Sequence, residues 1–105
     1  MAMHIVTLDQ EPRFPPESRG RHVLYDGDAM KVRIVDLDEG ERIPDCIMAE
    51  SVLFHVLEGA VTITVDGKPA RLRAGQCLIT GSATLTMTAH ERSRLMGVQV
   101  PGRQE

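Results

Sequence analysis

The chain has 105 residues, 42% of them hydrophobic, and a net charge of −3. That length suits one independently folding unit, and that apolar fraction can fill one core without disulfide or metal support. Basic residues are scattered among acids, and there is no Trp, one Tyr and two Phe. Neither a phosphate-neutralising stripe nor a base-stacking surface is present, so nucleic acid is not an expected partner. No apolar run approaches the roughly 20 residues that cross a bilayer, so no membrane is expected either. The start, Met-Ala-Met-His-Ile-Val-Thr, lacks the pattern of a signal peptide, which makes the cytoplasm the expected compartment. Cys46 and Cys77 are too few for a disulfide framework. Both are expected to be reduced, with Cys77 a small buried hydrophobe.

Along the chain, residues 1–20 read as an N-terminal strand (4–8) and a Pro-rich arm. Residues 10–19 hold Pro12, Pro15 and Pro16 and cannot sit inside a sheet; such arms often pack on a partner subunit. Strands are then expected at 21–26 and 30–37. In the second of these Met30, Val32 and Ile34 alternate with Lys31 and Arg33. The phase then moves to Val35 and Leu37, which predicts a bulge near Ile34. A short strand at 41–44 precedes a loop, and 52–58 is again a strand. In 60–66 Val61, Ile63 and Val65 face one way, Thr62 and Thr64 the other. Strands at 69–73 and 77–80 follow. Residues 83–89 set Ala83, Leu85, Met87 and Ala89 against Thr84, Thr86 and Thr88, the mark of a strand with one buried face. A last strand at 94–100 ends the domain proper (21–100), and 101–105 read as a frayed tail.

Turn signals separate these runs, among them Glu39-Gly40, Glu58-Gly59, Asp66-Gly67 and Ala74-Gly75. Asp-Gly between alternating strands is a strong hairpin signal. No segment of ten or more residues has helical periodicity and a cap. The fold class is therefore all-β with little or no helix, an antiparallel sandwich or closed barrel.

From Gly40 the order of parts becomes distinctive. Gly40-Glu-Arg-Ile-Pro-Asp45 is followed by Val52-Leu-Phe-His-Val-Leu-Glu-Gly59, then Val65-Asp-Gly67, then Leu72-Arg-Ala-Gly-Gln-Cys-Leu-Ile79. This resembles the small single-domain cupins of the cupin 2, or RmlC-like, type, over about residues 30–100. The resemblance implies a single cupin jelly-roll β-barrel (a double-stranded β-helix) that commonly forms homodimers. It also implies two motifs. The first runs Gly, five residues, His-x-His, three or four residues, Glu, six residues, Gly; the second is Pro-x-Gly-x-x-His.

The positions where these motifs place metal ligands hold other residues. Six on from Gly40 stands Cys46, two further Met48, and seven before Gly59 stands Val52. The second motif falls on Thr80 to Leu85, so its His becomes Leu85; a slip of one residue would make it Thr84. Divalent ions in such sites need imidazole and carboxylate donors. Val and Leu offer no lone pair, so no cofactor and no metal site is expected. Cys46 and Met48, two apart on an extended strand, share a face. A soft metal such as Cu(I) is the one ion that this pair would suit. Two converging ligands where structural sites use four favour a plain apolar lining.

The cavity-lining residues are therefore expected to be Cys46, Met48, Val52, Phe54, Leu85 and Met87. Polar contacts could come from His55, Glu50 and Tyr25. His55 alternates with Val52, Phe54 and Val56, so a steady phase puts it on the outer face or in a subunit contact. Glu50 reads as a solvated loop acid near the mouth, and Tyr25 is the single phenol within reach. His90 reads as an exposed turn residue, and His22 and His4 have no partner visible in sequence. No residue is assigned a catalytic role.

The function expected is a metal-free small-molecule-binding module whose apolar cavity takes a small apolar ligand. Two alternatives stand beside it. One is a metal-dependent cupin enzyme, of dioxygenase or isomerase type, with an atypical Cys/His ligand set. The other is a degenerate cupin with an assembly role only.

Overall fold

A computed structural model of the protein describes residues 3–15, 17, 18 and 22–101. Among them a 3-10 turn at Leu8–Gln10 precedes nine strands. These are β1 (Val23–Asp26), β2 (Lys31–Leu37), β3 (Arg42–Met48), β4 (Ser51–Glu58) and β5 (Ala60–Val65), then β6 (Lys68–Arg73), β7 (Cys77–Thr80), β8 (Ala83–Ala89) and β9 (Ser93–Val100). They form two antiparallel sheets, ordered β1-β2-β9-β4-β7 and β3-β8-β5-β6. The architecture is a jelly roll, all-β as the sequence predicts. No ladder joins the edge strands of one sheet to those of the other, so the expected closed barrel is corrected to two facing sheets.

The chain changes sheets at corners. Glu58 ends β4 in one sheet and Ala60 begins β5 in the other, with Gly59 between at a φ of 88°. A β-carbon at Gly59 would lie 2.5 Å from the Arg92 carbonyl oxygen and collide with Ser93. Only glycine meets both demands. Ser93, wholly buried, closes the corner by accepting from the Ala60 N–H at 3.1 Å and donating to the Glu91 carbonyl at 2.7 Å. The β5–β6 hairpin turns at Asp66-Gly67, both with positive φ, as the Asp-Gly signal requires.

Between the sheets, Leu37, Val52, Val56, Val61, Ile63, Leu72, Leu85, Met87, Ala89 and Leu95 form one buried cluster. These residues come from β2, β4, β5, β6, β8 and β9, and burying each larger side chain stabilises the fold by roughly 1.5–3 kcal/mol. The threonines of β5 and β8 face outward, where Thr62 pairs with Thr88 and Thr64 with Thr86.

The other face of the five-stranded sheet is buried too, at one end. Asp36 and Arg94 are opposite one another on β2 and β9, and both are buried. Arg94 grips Asp36 with two hydrogen bonds, Nε to Oδ1 at 2.7 Å and Nη2 to Oδ2 at 3.2 Å. Its remaining donors reach the carbonyls of Leu8, Glu11 and Pro12 at 2.9–3.1 Å. The Phe14 N–H donates to Asp36 as well. His22, buried, stacks on Phe14 with ring centroids 4.3 Å apart and meets Glu11 at 2.9 Å. The arm thus packs on its own chain through these buried charges.

Several expectations are corrected here. Residues 3–7 form no strand; they have no ladder partner, and His4 instead meets Tyr25 edge-on at 5.3 Å. The bulge expected near Ile34 is absent, because β2 pairs with β9 in unbroken register. Ile34 and Asp36 face the arm while Val35 and Leu37 face the core, so both parities are buried. The irregularity lies instead in β1, between Val23 and Tyr25. The strand expected at 41–44 runs on to Met48, with a register shift between Ile43 and Cys46. Pro44 is tolerated there because β3 is an edge strand and bulges. Residue 21 and all of the expected tail but Pro101 lie outside the described residues.

Burial alone would raise the pKa of Asp36, but its hydrogen bonds to Arg94 and Phe14 and the charges of Arg94 and Arg13 outweigh it, holding the carboxyl below its ordinary value. The same contact raises the pKa of Arg94. A carboxyl depressed in the folded state stabilises above its unfolded pKa of about 3.9, and that contribution is lost as pH falls through the lower folded value. Replacing Asp36 by Asn leaves Arg94 buried without its counter-ion. It is expected to cost about 3–5 kcal/mol at pH 7 in urea unfolding, and to flatten the decline in stability below about pH 4.

Candidate functional site

Strand parity leaves a cavity of about 330 Å³ between the sheets. From β3 come Ile43, Cys46 and Met48, paired across to Met87, Leu85 and Ala83 of β8. From β4 come Val52 and Phe54, and from β2 and β9 Arg33, Val35, Gly97 and Gln99. The space exists partly because Gly97 has no side chain: a β-carbon there would sit 3.1 Å from Phe54 Cε1 and 3.6 Å from Arg33 Cγ. Cys46 is exposed, so the cavity opens to solvent beside β3.

The structure brings Cys46, Met48, Val52, Phe54, Leu85 and Met87 together around this one cavity. The three polar candidates lie elsewhere. His55 faces outward from β4, opposite Met96 on one side and Cys77 on the other. Tyr25 pairs with Val32, whose side chain is on the outer face, so its ring lies at the sheet edge against His4 and Gly27. It is not part of the cavity wall. Glu50 lines a smaller hollow of about 250 Å³ at the mouth, with Asp26, Lys31, Arg33 and Gln99. Cys77, expected to be buried, is exposed on the outer face of the edge strand β7. His90 is exposed and bonded to the Thr62 hydroxyl at 2.6 Å.

Beyond the six expected, the cavity is also lined by Arg33, Val35, Ile43, Thr86, Gly97 and Gln99; of these, Arg33 and Gln99 bring polar groups that were not legible as cavity residues. Arg33 shares its parity with Val35 and Leu37, and Gln99 with Leu95 and Gly97; in both strands the outer parity mixes apolar and charged residues as well (Val32, Ile34 and Asp36; Arg94, Met96 and Val98), which hides the inward one. Arg33 Nη2 donates to Gln99 Oε1 at 3.1 Å, and its buried Nε has no partner. The signal available was the run Arg33-Ile34-Val35-Asp36-Leu37, where neither parity is wholly polar.

The donor set does not fit the divalent ion that the fold often holds. Leu85 faces inward opposite Cys46, while Thr84 pairs with Ile47 on the outer face, so the one-residue slip is excluded. Cys46 Sγ and Met48 Sδ are 3.5 Å apart, but no nitrogen or carboxylate ligand joins them in the cavity wall. Among the described residues no group of three or more His, Cys, Asp or Glu could hold a metal ion. A wider hollow of about 770 Å³ lies between the arm and the turns before β5 and β9. Its Arg13 and Arg94 are already committed, Arg13 to Glu58 at 2.6 Å and Arg94 to Asp36. No helix among the described residues is long and apolar enough to cross a membrane.

No family model and no curated protein matches the sequence. Solved structures do match the fold. An RmlC-like cupin protein from Desulfovibrio desulfuricans superposes with a TM-score of 0.81 at 17% identity, covering 95% of this chain and 98% of its own. A cupin superfamily protein from Desulfitobacterium hafniense gives 0.72 at 16% identity, over 76% of this chain and 74% of its own. An RmlC-like cupin from Shewanella frigidimarina gives 0.70 at 19% identity, over 78% and 75%. The protein is a small domain with the cupin fold.

Elemental analysis of reduced protein, purified without an affinity tag, is expected to find no stoichiometric Mn, Fe, Ni or Cu. One equivalent of any of them would contradict the reading of the donor set.

Proposed function

We propose that the protein is a metal-free small-molecule-binding module. The observation that carries this is an open cavity walled by Val35, Ile43, Met48, Val52, Phe54, Leu85 and Met87 at the place where the fold usually puts its chemistry. A volume of about 330 Å³ is at the small end of ligand sites. It suits a molecule of about ten non-hydrogen atoms, at roughly 30 Å³ each. Methionine walls adapt to differently shaped apolar bodies. The wall holds no His, Asp or Glu, so the reading is binding rather than acid–base turnover.

Both thiols are exposed but only Cys46 borders the cavity, which gives a built-in reporter. A thermal-shift screen of small apolar compounds is expected to yield stabilising hits, and each hit is expected to slow modification of Cys46 while leaving Cys77 fast. A screen without hits, or hits that leave Cys46 unprotected, would contradict the proposal.

A second reading, self-association, rests on the outer face of the five-stranded sheet. Val32, Val98, Leu53 and Ile79 form one apolar row across β2, β9, β4 and β7, and Ile79 is 73% exposed. Covering that row with a second copy removes it from water. Sedimentation is expected to show a homodimer that Ile79→Asp shifts to monomer with little loss of thermal stability. A monomeric wild-type chain would refute it.

A further inference from the structure

Arg33 is the one charged residue in a wall that is otherwise neutral and mostly apolar. Two arginines on the opposite side of the five-stranded sheet, at the arm, are treated differently. Arg94 is satisfied by Asp36 and three backbone carbonyls, and Arg13 by Glu58, Asp36 and two carbonyls. Arg33, half-buried, has one hydrogen bond, to Gln99 Oε1, and no ion pair with any described carboxylate. Its Nε is buried and unpartnered. A guanidinium has five N–H donors in a planar fork, so most of this fork is uncommitted beside a space large enough for a ligand. Leaving the buried Nε unpaired is costly, and a carboxylate meets a guanidinium fork with two parallel charge-assisted hydrogen bonds.

Gln99 completes the arrangement. Its Oε1 accepts from Arg33 and so orients the guanidinium, which leaves the amide NH2, without a described partner, as a further donor. Asp26 and Glu50 line the adjoining hollow at the mouth, with Lys31. Their negative charge works against a ligand bearing a second anionic group on that side.

We infer that the cavity takes a monocarboxylate, its carboxylate on the Arg33 fork and its apolar body against Phe54, Leu85 and Met87. This rests on the reading of the cavity as a binding site and adds the chemical class of the ligand. Amphiphilic acids of about eight to ten non-hydrogen atoms match the space; hexanoate and benzoate are the simplest probes.

The test is calorimetric titration of hexanoate, hexanamide and hexan-1-ol, and of benzoate, benzamide and benzyl alcohol, against wild type and Arg33→Met. In wild type the acids are expected to bind on the order of 100-fold more tightly than their neutral isosteres, and adipate more weakly than hexanoate. Arg33→Met is expected to abolish the preference while keeping the weak binding of the neutral molecules. Arg33→Lys, which keeps charge but loses the fork, is expected to retain part of it and stands in if the Met variant does not fold. Neutral isosteres binding wild type as tightly as the acids would overturn the inference and leave the apolar binding site standing. An acid preference that survives Arg33→Met would overturn it as well. If none of the six probes binds, the binding-site reading falls and the inference with it.

Discussion

Residues on a strand alternate between two faces, and in this protein that parity decides what each side chain can do. On β8, Leu85 and Met87 must face the space between the sheets because Thr84, Thr86 and Thr88 take the other side. On β3 the same rule sends Cys46 and Met48 inward and Ile47 out. A divalent ion needs its donors on inward positions of both sheets at once. Here those positions carry two sulfurs, a valine and a leucine, so parity itself delivers an apolar wall.

The five-stranded sheet meets a second constraint. At one end of its outer face the Asp36–Arg94 pair is buried under the arm, where Leu8, Glu11 and Pro12 supply carbonyls that the guanidinium needs. A pair of buried charges of this kind contributes little net stability, yet removing one partner is expensive. It ties the arm to the sheet, because the arm's carbonyls accept the donors that Asp36 leaves over. Further along the same face the rows become apolar, and the arm's charged contacts end.

Much of the fold was legible. The alternation in β5 and β8, the Asp66-Gly67 turn and the Gly59 corner follow from residue identity alone. Part of what was not legible has one cause: burial on both faces of a strand destroys alternation as a signal. In β2, Ile34 and Asp36 are buried against the arm while Val35 and Leu37 are buried in the core, and the sequence shows this as a phase shift. That same ambiguity concealed Arg33. β3 was underestimated because Pro44 reads as a terminator, whereas an edge strand absorbs it in a bulge. The strand expected at 4–8 has a strand-like composition but forms no ladder; beside edge strand β1 its His4 meets the Tyr25 ring instead of pairing backbone to backbone. The expectation for Cys77 followed that residue type's usual preference for burial, which the outer face of an edge strand overrides.

The cavity wall therefore combines what parity made readable, an aliphatic and sulfur lining, with what it hid, a guanidinium and an amide. The central claim is that this space is a ligand site and not residual core. Methyl-resolved NMR of the reduced protein, titrated with a small apolar acid, tests it most directly. Saturable shifts are predicted at Met48, Val52, Leu85 and Met87, with the Thr62, Thr64 and Thr88 methyls unmoved. Shifts confined to the threonine face, or no saturable shift at any of these methyls, would contradict it.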